Sequence, residues 1–328
     1  MGTPTRLCTL PRVLGTKRLI AAVAAAVLVV AVLAGGQHAS GRTTASAARC
    51  PTFPKNNQWN LRVDKLPVAK DSATLVSTIG ADKPVHADFG SGTYAGGPIG
   101  IPYVNVRAHQ RKVHVKFDYS DESDKGPYPI PAGVPIEGGR GSSGDRHAIL
   151  VDRTHCKLYE LFALYPTKGG GWHAGSGAIW NMRSNHLRPK GWTSADAAGL
   201  PMFPGLARWP EARHGAIHHA LRFTVPETRK AFIYPARHFA SNSTDPSLPA
   251  MGQRFRLKAG FDISGFPRQA RIVLTALKKY GMIVADNGSS WFIGGAPSPG
   301  WSNDQLHTLG RVTGRDFEAV DTSSLPKG

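Results

Sequence analysis

HAILVDRTHCKLYELFAL, residues 147–164, is the stretch on which the fold turns. Its two apolar runs, His147–Asp152 and Lys157–Leu164, lie on either side of the polar segment Arg153-Thr154-His155-Cys156. That arrangement predicts a pair of strands joined by a turn. Outward from it, other segments alternate. Val113, Val115, Phe117 and Tyr119 share one face of Arg111–Tyr119, with Lys112, His114, Lys116 and Asp118 on the other. In Arg254–Phe261, Phe255, Leu257, Ala259 and Phe261 oppose Arg254, Arg256 and Lys258. Side chains change face at every strand residue, so both read as half-buried strands. Leu221–Val225 and Lys230–Tyr234 flank a Pro226-Glu227-Thr228 turn.

The stretch Gly126–Gly144 holds Pro127, Pro129, Pro131 and Pro135 and then many glycines. Proline cannot donate to a ladder, so this is extended loop or sheet edge. One amphipathic helix is predicted over Pro267–Tyr280, where Ala270, Val273, Leu274 and Leu277 form the apolar stripe and Gly281 supplies the cap. Met282–Ala285 then reads as a strand, Asn287-Gly288 as a tight turn and Ser290–Ile293 as its return. A short helix is expected from Asn303. The predicted fold is mainly β, sandwich or barrel-like, with one or two peripheral helices; α+β is the alternative.

An uncharged run of 15 residues, Leu19–Leu33, follows Arg12, Lys17 and Arg18, and small residues lead from it to Ala45-Ser46-Ala47. This is the layout of a signal peptide over residues 1–47, with a single β-rich secreted domain over 48–328. An uncleaved anchor is the alternative, because tilted spans can be short. Cys50 and Cys156 would remain after cleavage, and outside the cytoplasm an even pair predicts one disulfide. Formal net charge is +18, and five of the basic residues and no acids lie in the leader, which leaves +13 on the body. Export removes nucleic acid from the expected partners. Anionic glycans and wall polymers fit a basic extracytoplasmic surface better. Membrane contact is expected only through the leader, and a monomer is expected.

Several motifs are empty. Gly139–Gly144 matches G-x-G-x-x-G, but a proline-rich loop precedes it and a strand follows, so no dinucleotide site is expected. No G-x-S-x-G is present, and His214 and His218 lie four apart without a helix to align them, so neither a nucleophile elbow, a metal nor any cofactor is expected. Three polar groups remain as candidates. Asp145 and His147 are two apart, so in an extended chain the carboxylate orients the imidazole for acid–base work. Asp196 is the only charge in Trp192–Pro201. His238, with Arg237, His218 and Arg222, would make a cationic patch for an acidic sugar. Asp145, His147, Asp196 and His238 are thus the expected catalytic residues, and His218, Arg222 and Arg237 the expected substrate-binding ones. Further carboxylates stand at Asp88, Glu137 and Glu160; the last lies in an apolar run, where an arginine partner is the expected explanation.

Gly144–Phe162 (GDRHAILVDRTHCKLYELF), Gly191–Gly205 (GWTSADAAGLPMFPG) and Arg222–Ser241 resemble stretches of an uncharacterised family of secreted bacterial proteins. The resemblance implies secretion and carries no activity. Thr154-His155-Cys156 is similar to part of the cysteine motif of secreted L,D-transpeptidases, which place a glycine between His and Cys. The expected function is a carbohydrate-active protein that cleaves or binds an acidic polysaccharide or cell-wall glycan. The cleaving form would be a glycoside hydrolase or polysaccharide lyase, with some of the seven tryptophans stacking on sugar rings. The alternatives are a non-catalytic wall-binding protein and a wall-peptide enzyme acting through Cys156.

Overall fold

The computed structural model describes residues 50–327; the expected leader lies outside them. Fifteen strands are found among the described residues. They are β1 His86–Asp88, β2 Thr93–Tyr94, β3 Gly97–Pro98, β4 Tyr103–Asn105, β5 Val115–Phe117, β6 Ala148–Asp152, β7 Lys157–Phe162, β8 Tyr165–Pro166, β9 Trp172–Ala174, β10 Ser176–Asn181, β11 Leu221–Val225, β12 Arg254–Leu257, β13 Met282–Asn287, β14 Phe292–Gly294 and β15 Phe317–Ala319. The α-helices are α1 Ser72–Gly80, α2 Trp209–Ala212, α3 Arg268–Lys279 and α4 Asn303–His307. The fold is β-rich with peripheral helices, as the alternation predicts.

The strand pair at the centre of the sequence reading forms. β6 and β7 run antiparallel with Leu150 opposite Tyr159, and β10 and β4 complete a four-stranded sheet in the order β10-β7-β6-β4. Every residue of β6 is buried. Alternation sends Ile149 and Val151 into one hydrophobic core and Ala148 and Leu150 into another, so this sheet is covered on both faces. A third core surrounds the six-stranded sheet β1-β14-β11-β13-β12-β15, against which α1 and α3 pack. The Cys50–Cys156 disulfide, with Cα atoms 5.4 Å apart, ties the first described residue to the β6–β7 turn.

Three local expectations are corrected. Ser290–Ile293 does not fold back on β13: β11 lies between β13 and β14, parallel to the first and antiparallel to the second. Lys230–Tyr234 forms only a bridge, Phe232 to Met251. Arg254 and Arg256 do not face water. Segment 58–66 covers that face of β12, and its carbonyls at Gln58, Leu61, Val63 and Leu66 accept from the two guanidinium groups. An arginine can be buried where its donors all find acceptors.

Candidate functional site

The polar centre of the molecule is built on His147, at the entrance to β6. Arg146 turns the chain with φ of 51°, so Asp145 and His147 are not in the extended register that would make Asp145 the orienting carboxylate. Glu137 takes that place. His147 Nδ1 lies 2.5 Å from Glu137 Oε2, and Nε2 lies 2.9 Å from the Ala195 carbonyl oxygen. Both ring nitrogens thus face acceptors, the arrangement of an imidazolium. Burial opposes the charge, but the Glu137 carboxylate and its hydrogen bond outweigh it and push His147 up to about 9. Burial acts upward on Glu137 too, and the His147 charge and hydrogen bonds win there, holding it below the usual carboxylate range. Glu137 Oε1 has no hydrogen-bond partner among the described residues, since His147 occupies only Oε2. Asp145 is exposed, and its oxygen, a Glu137 oxygen and a His147 nitrogen lie within 4.8 Å of one another. That trio has metal-ligand chemistry, but both His147 nitrogens are already committed to protein acceptors.

Two cavities meet at this pair. The larger, about 800 Å³, is lined by Glu137, Asp88, His86, Phe292, Tyr94 and Asn303, among others. Asp88, the last residue of β1, is exposed along its strand yet hemmed in by the cavity walls. That desolvation, and then the Glu137 charge, raise its pKa. One cavity therefore holds two carboxyls tuned in opposite directions, the pattern that separates an acid from an ionised partner. Aromatic surface adjoins them: His86 and Phe292 stack with centroids 4.2 Å apart, and Tyr94 is 80% exposed.

The smaller cavity, about 380 Å³, collects all four residues expected to be catalytic: Asp145, His147, Asp196 and His238. Their environments differ. Asp196 is 0% exposed and its two carboxylate oxygens accept from Arg222 at 2.8 and 3.2 Å, a sealed internal ion pair. His238 commits Nδ1–H to the Ala197 carbonyl at 2.8 Å. Gly199, with φ of 67°, makes room for this: a Cβ there would lie 3.4 Å from His238 Cβ and 2.6 Å from the Trp192 carbonyl oxygen. Asp286, at the end of β13, also lines this cavity, and burial followed by the Asp196 charge pushes it up to about 7.

The cationic patch does not assemble. Arg222 is spent on Asp196. Arg237 lines a separate recess and donates Nε to the Arg188 carbonyl at 2.9 Å. His218 is exposed elsewhere, edge-on to Tyr280. Glu160 has no arginine partner: its oxygens accept from Trp180 Nε1 and the Met202 and Phe203 amides, and burial still pushes it up to about 7. Cys156 is buried in the disulfide, so no thiol is left there for nucleophilic chemistry.

The sequence names Asp88 and Glu137 only as stray carboxylates, and it misses Tyr94 and Asp286. For Asp286 the available signal was position, near the end of the apolar strand β13; β1, His86-Ala87-Asp88, has no apolar pattern that could have singled out Asp88. No family model matches the chain, and neither the curated proteins nor the solved structures provide a match.

Proposed function

We propose that this is an extracytoplasmic glycan-cleaving enzyme whose centre is the Asp88–Glu137 pair. The observation that carries the reading is the opposed tuning of those two carboxyls within one aromatic-walled cavity. Asp88, whose pKa is raised by desolvation and by the Glu137 charge, acts as the acid and gives its proton to the glycosidic oxygen as the C–O bond breaks. Glu137, ionised, stabilises the positive charge that grows on the anomeric carbon. Water adds its hydroxyl to that carbon, and its remaining proton returns to Asp88, so one water is consumed per bond. His147 is a positioning residue: it holds Glu137 by Oε2 and leaves Oε1 for the substrate.

The basic body supports an acidic polysaccharide or wall glycan as the polymer, because its charge raises the local concentration of polyanion around an acidic cleft. The leader pattern and the disulfide support an extracytoplasmic location. The test is a panel of neutral and anionic wall glycans followed by release of reducing ends. Cleavage by the native protein that Asp88→Asn and Glu137→Gln both abolish supports the assignment. Retention of polymer on the native protein with no cleavage from pH 4 to 9 would make it a binding protein. Cleavage that survives both substitutions would move the chemistry elsewhere.

A further inference from the structure

We infer that the large cavity binds a continuous glycan chain on both sides of the bond to be cut, with Tyr94 as the ring platform on one side and the His86–Phe292 stack on the other, so that cleavage is internal. The inference rests on the function proposed above and adds the mode of attack and the residues that set it.

The order of groups along the cavity follows from backbone register. His86 and Asp88 are two apart on β1 and so project from one face, roughly 6.6 Å from each other. Phe292 is the register partner of His86 in the parallel β1–β14 pair, which brings the two rings together. The stacked pair therefore stands beside Asp88, about one sugar ring away. Glu137 lines the same cavity, close enough for its charge to act on Asp88, and continues directly into Gly138. The Gly138 backbone is met by Gly97 so closely that a Cβ on Gly97 would fall 2.1 Å from the Gly138 carbonyl carbon. Gly97 is in turn the register partner of Tyr94 in the β2–β3 hairpin. Neighbour relations thus link the aromatic stack to Asp88, Asp88 to Glu137, and Glu137 through Gly138 and Gly97 to Tyr94.

The Tyr94 side chain has no hydrogen bond or ring contact among the described residues. Its ring is the most exposed of the large hydrophobic side chains described, on a two-residue strand clamped at Gly97. An aromatic face held rigidly in water at a cavity rim loses little entropy on covering the apolar face of a sugar, and the phenol hydroxyl stays wet. Asn303 adds a fixed amide nearby: its Oδ1 accepts from the Ser91 amide and its Nδ2 donates to the Ser91 carbonyl, which braces the chain leading into the hairpin.

The experiment uses the full secreted chain with the wall-glycan panel. Internal cleavage predicts that solution viscosity falls well before reducing ends accumulate, and release of terminal sugars alone would overturn the inference while leaving the carboxyl assignment intact. Tyr94→Ala is expected to raise KM on polymer about 5- to 10-fold more than on a trisaccharide, with Tyr94→Phe restoring most of it. In the non-cleaving Glu137→Gln background, adding Tyr94→Ala should weaken retention on polymer in affinity electrophoresis by a similar factor. Equal retention with and without the Tyr94 ring would sink the platform. No retention and no cleavage of any polymer would sink both the platform and the proposed function.

Discussion

Glu137–His147 and Asp196–Arg222 are the same device, a carboxylate against a cation, in two settings. Asp196 is 0% exposed, and each of its oxygens already accepts from the Arg222 guanidinium. Glu137 is bound through one oxygen, the other has no hydrogen-bond partner among the described residues, and the residue lines the larger cavity. The first pair holds the Trp192–Pro201 segment against β11. The second presents a charge. What distinguishes a functional carboxylate from a structural one here is not residue type or pairing but whether an oxygen is left without a partner after the fold has taken its share.

Substitution should separate the two settings. Glu137→Gln and Asp88→Asn are each expected to lower kcat/KM for glycan cleavage about 1,000-fold; Asp88→Asn should leave the melting temperature nearly unchanged, whereas Glu137→Gln should lower it somewhat, because the buried His147 charge loses its partner. Asp196→Ala should do the opposite of Asp88→Asn. Removing one partner of a buried pair leaves Arg222 uncompensated, at a cost of about 3–5 kcal/mol in urea denaturation. Activity per folded molecule should fall far less than in Glu137→Gln. If Asp196→Ala leaves stability intact, the comparison is broken.

Proton dependence sharpens it further. His147→Gln removes the cation that depresses Glu137, so Glu137 titrates higher and the acid limb of the pH–rate profile should move to higher pH. The alkaline limb, set by loss of the Asp88 proton, should stay in place. The smallest effect is on stability. His147 is raised in the folded state to about 9, so its contribution is fully present below the ordinary imidazole range and is lost as pH rises through about 9. Glu137→Gln should flatten that alkaline decline in thermal melts, whereas Asp196→Asn should leave it unaltered.

The strands could be read because their patterns are local. β6, β7, β11 and α3 fall where apolar runs and the helical stripe place them. The sheet order could not, because β11 enters between β13 and β14 from about 60 residues upstream, and no local pattern records that. Arg254 and Arg256 show a second limit. Alternation marks which residues share a face, but a face of arginines reads as solvent-exposed until a covering segment with free carbonyls is seen. At the site, the four expected catalytic residues do gather in one cavity. Sequence spacing paired His147 with its neighbour Asp145, whereas the carboxylate that holds it, Glu137, is brought back ten residues by the glycine-rich loop.

The cystine draws a boundary across the larger cavity. It joins Cys50 to a partner 106 residues later, and the loop it closes contains Asp88, Tyr94 and Glu137, whereas Phe292 and Asn303 lie outside it. Reducing the bond would therefore free the stretch that carries both carboxyls from its covalent tie and leave the carboxy-terminal wall untouched.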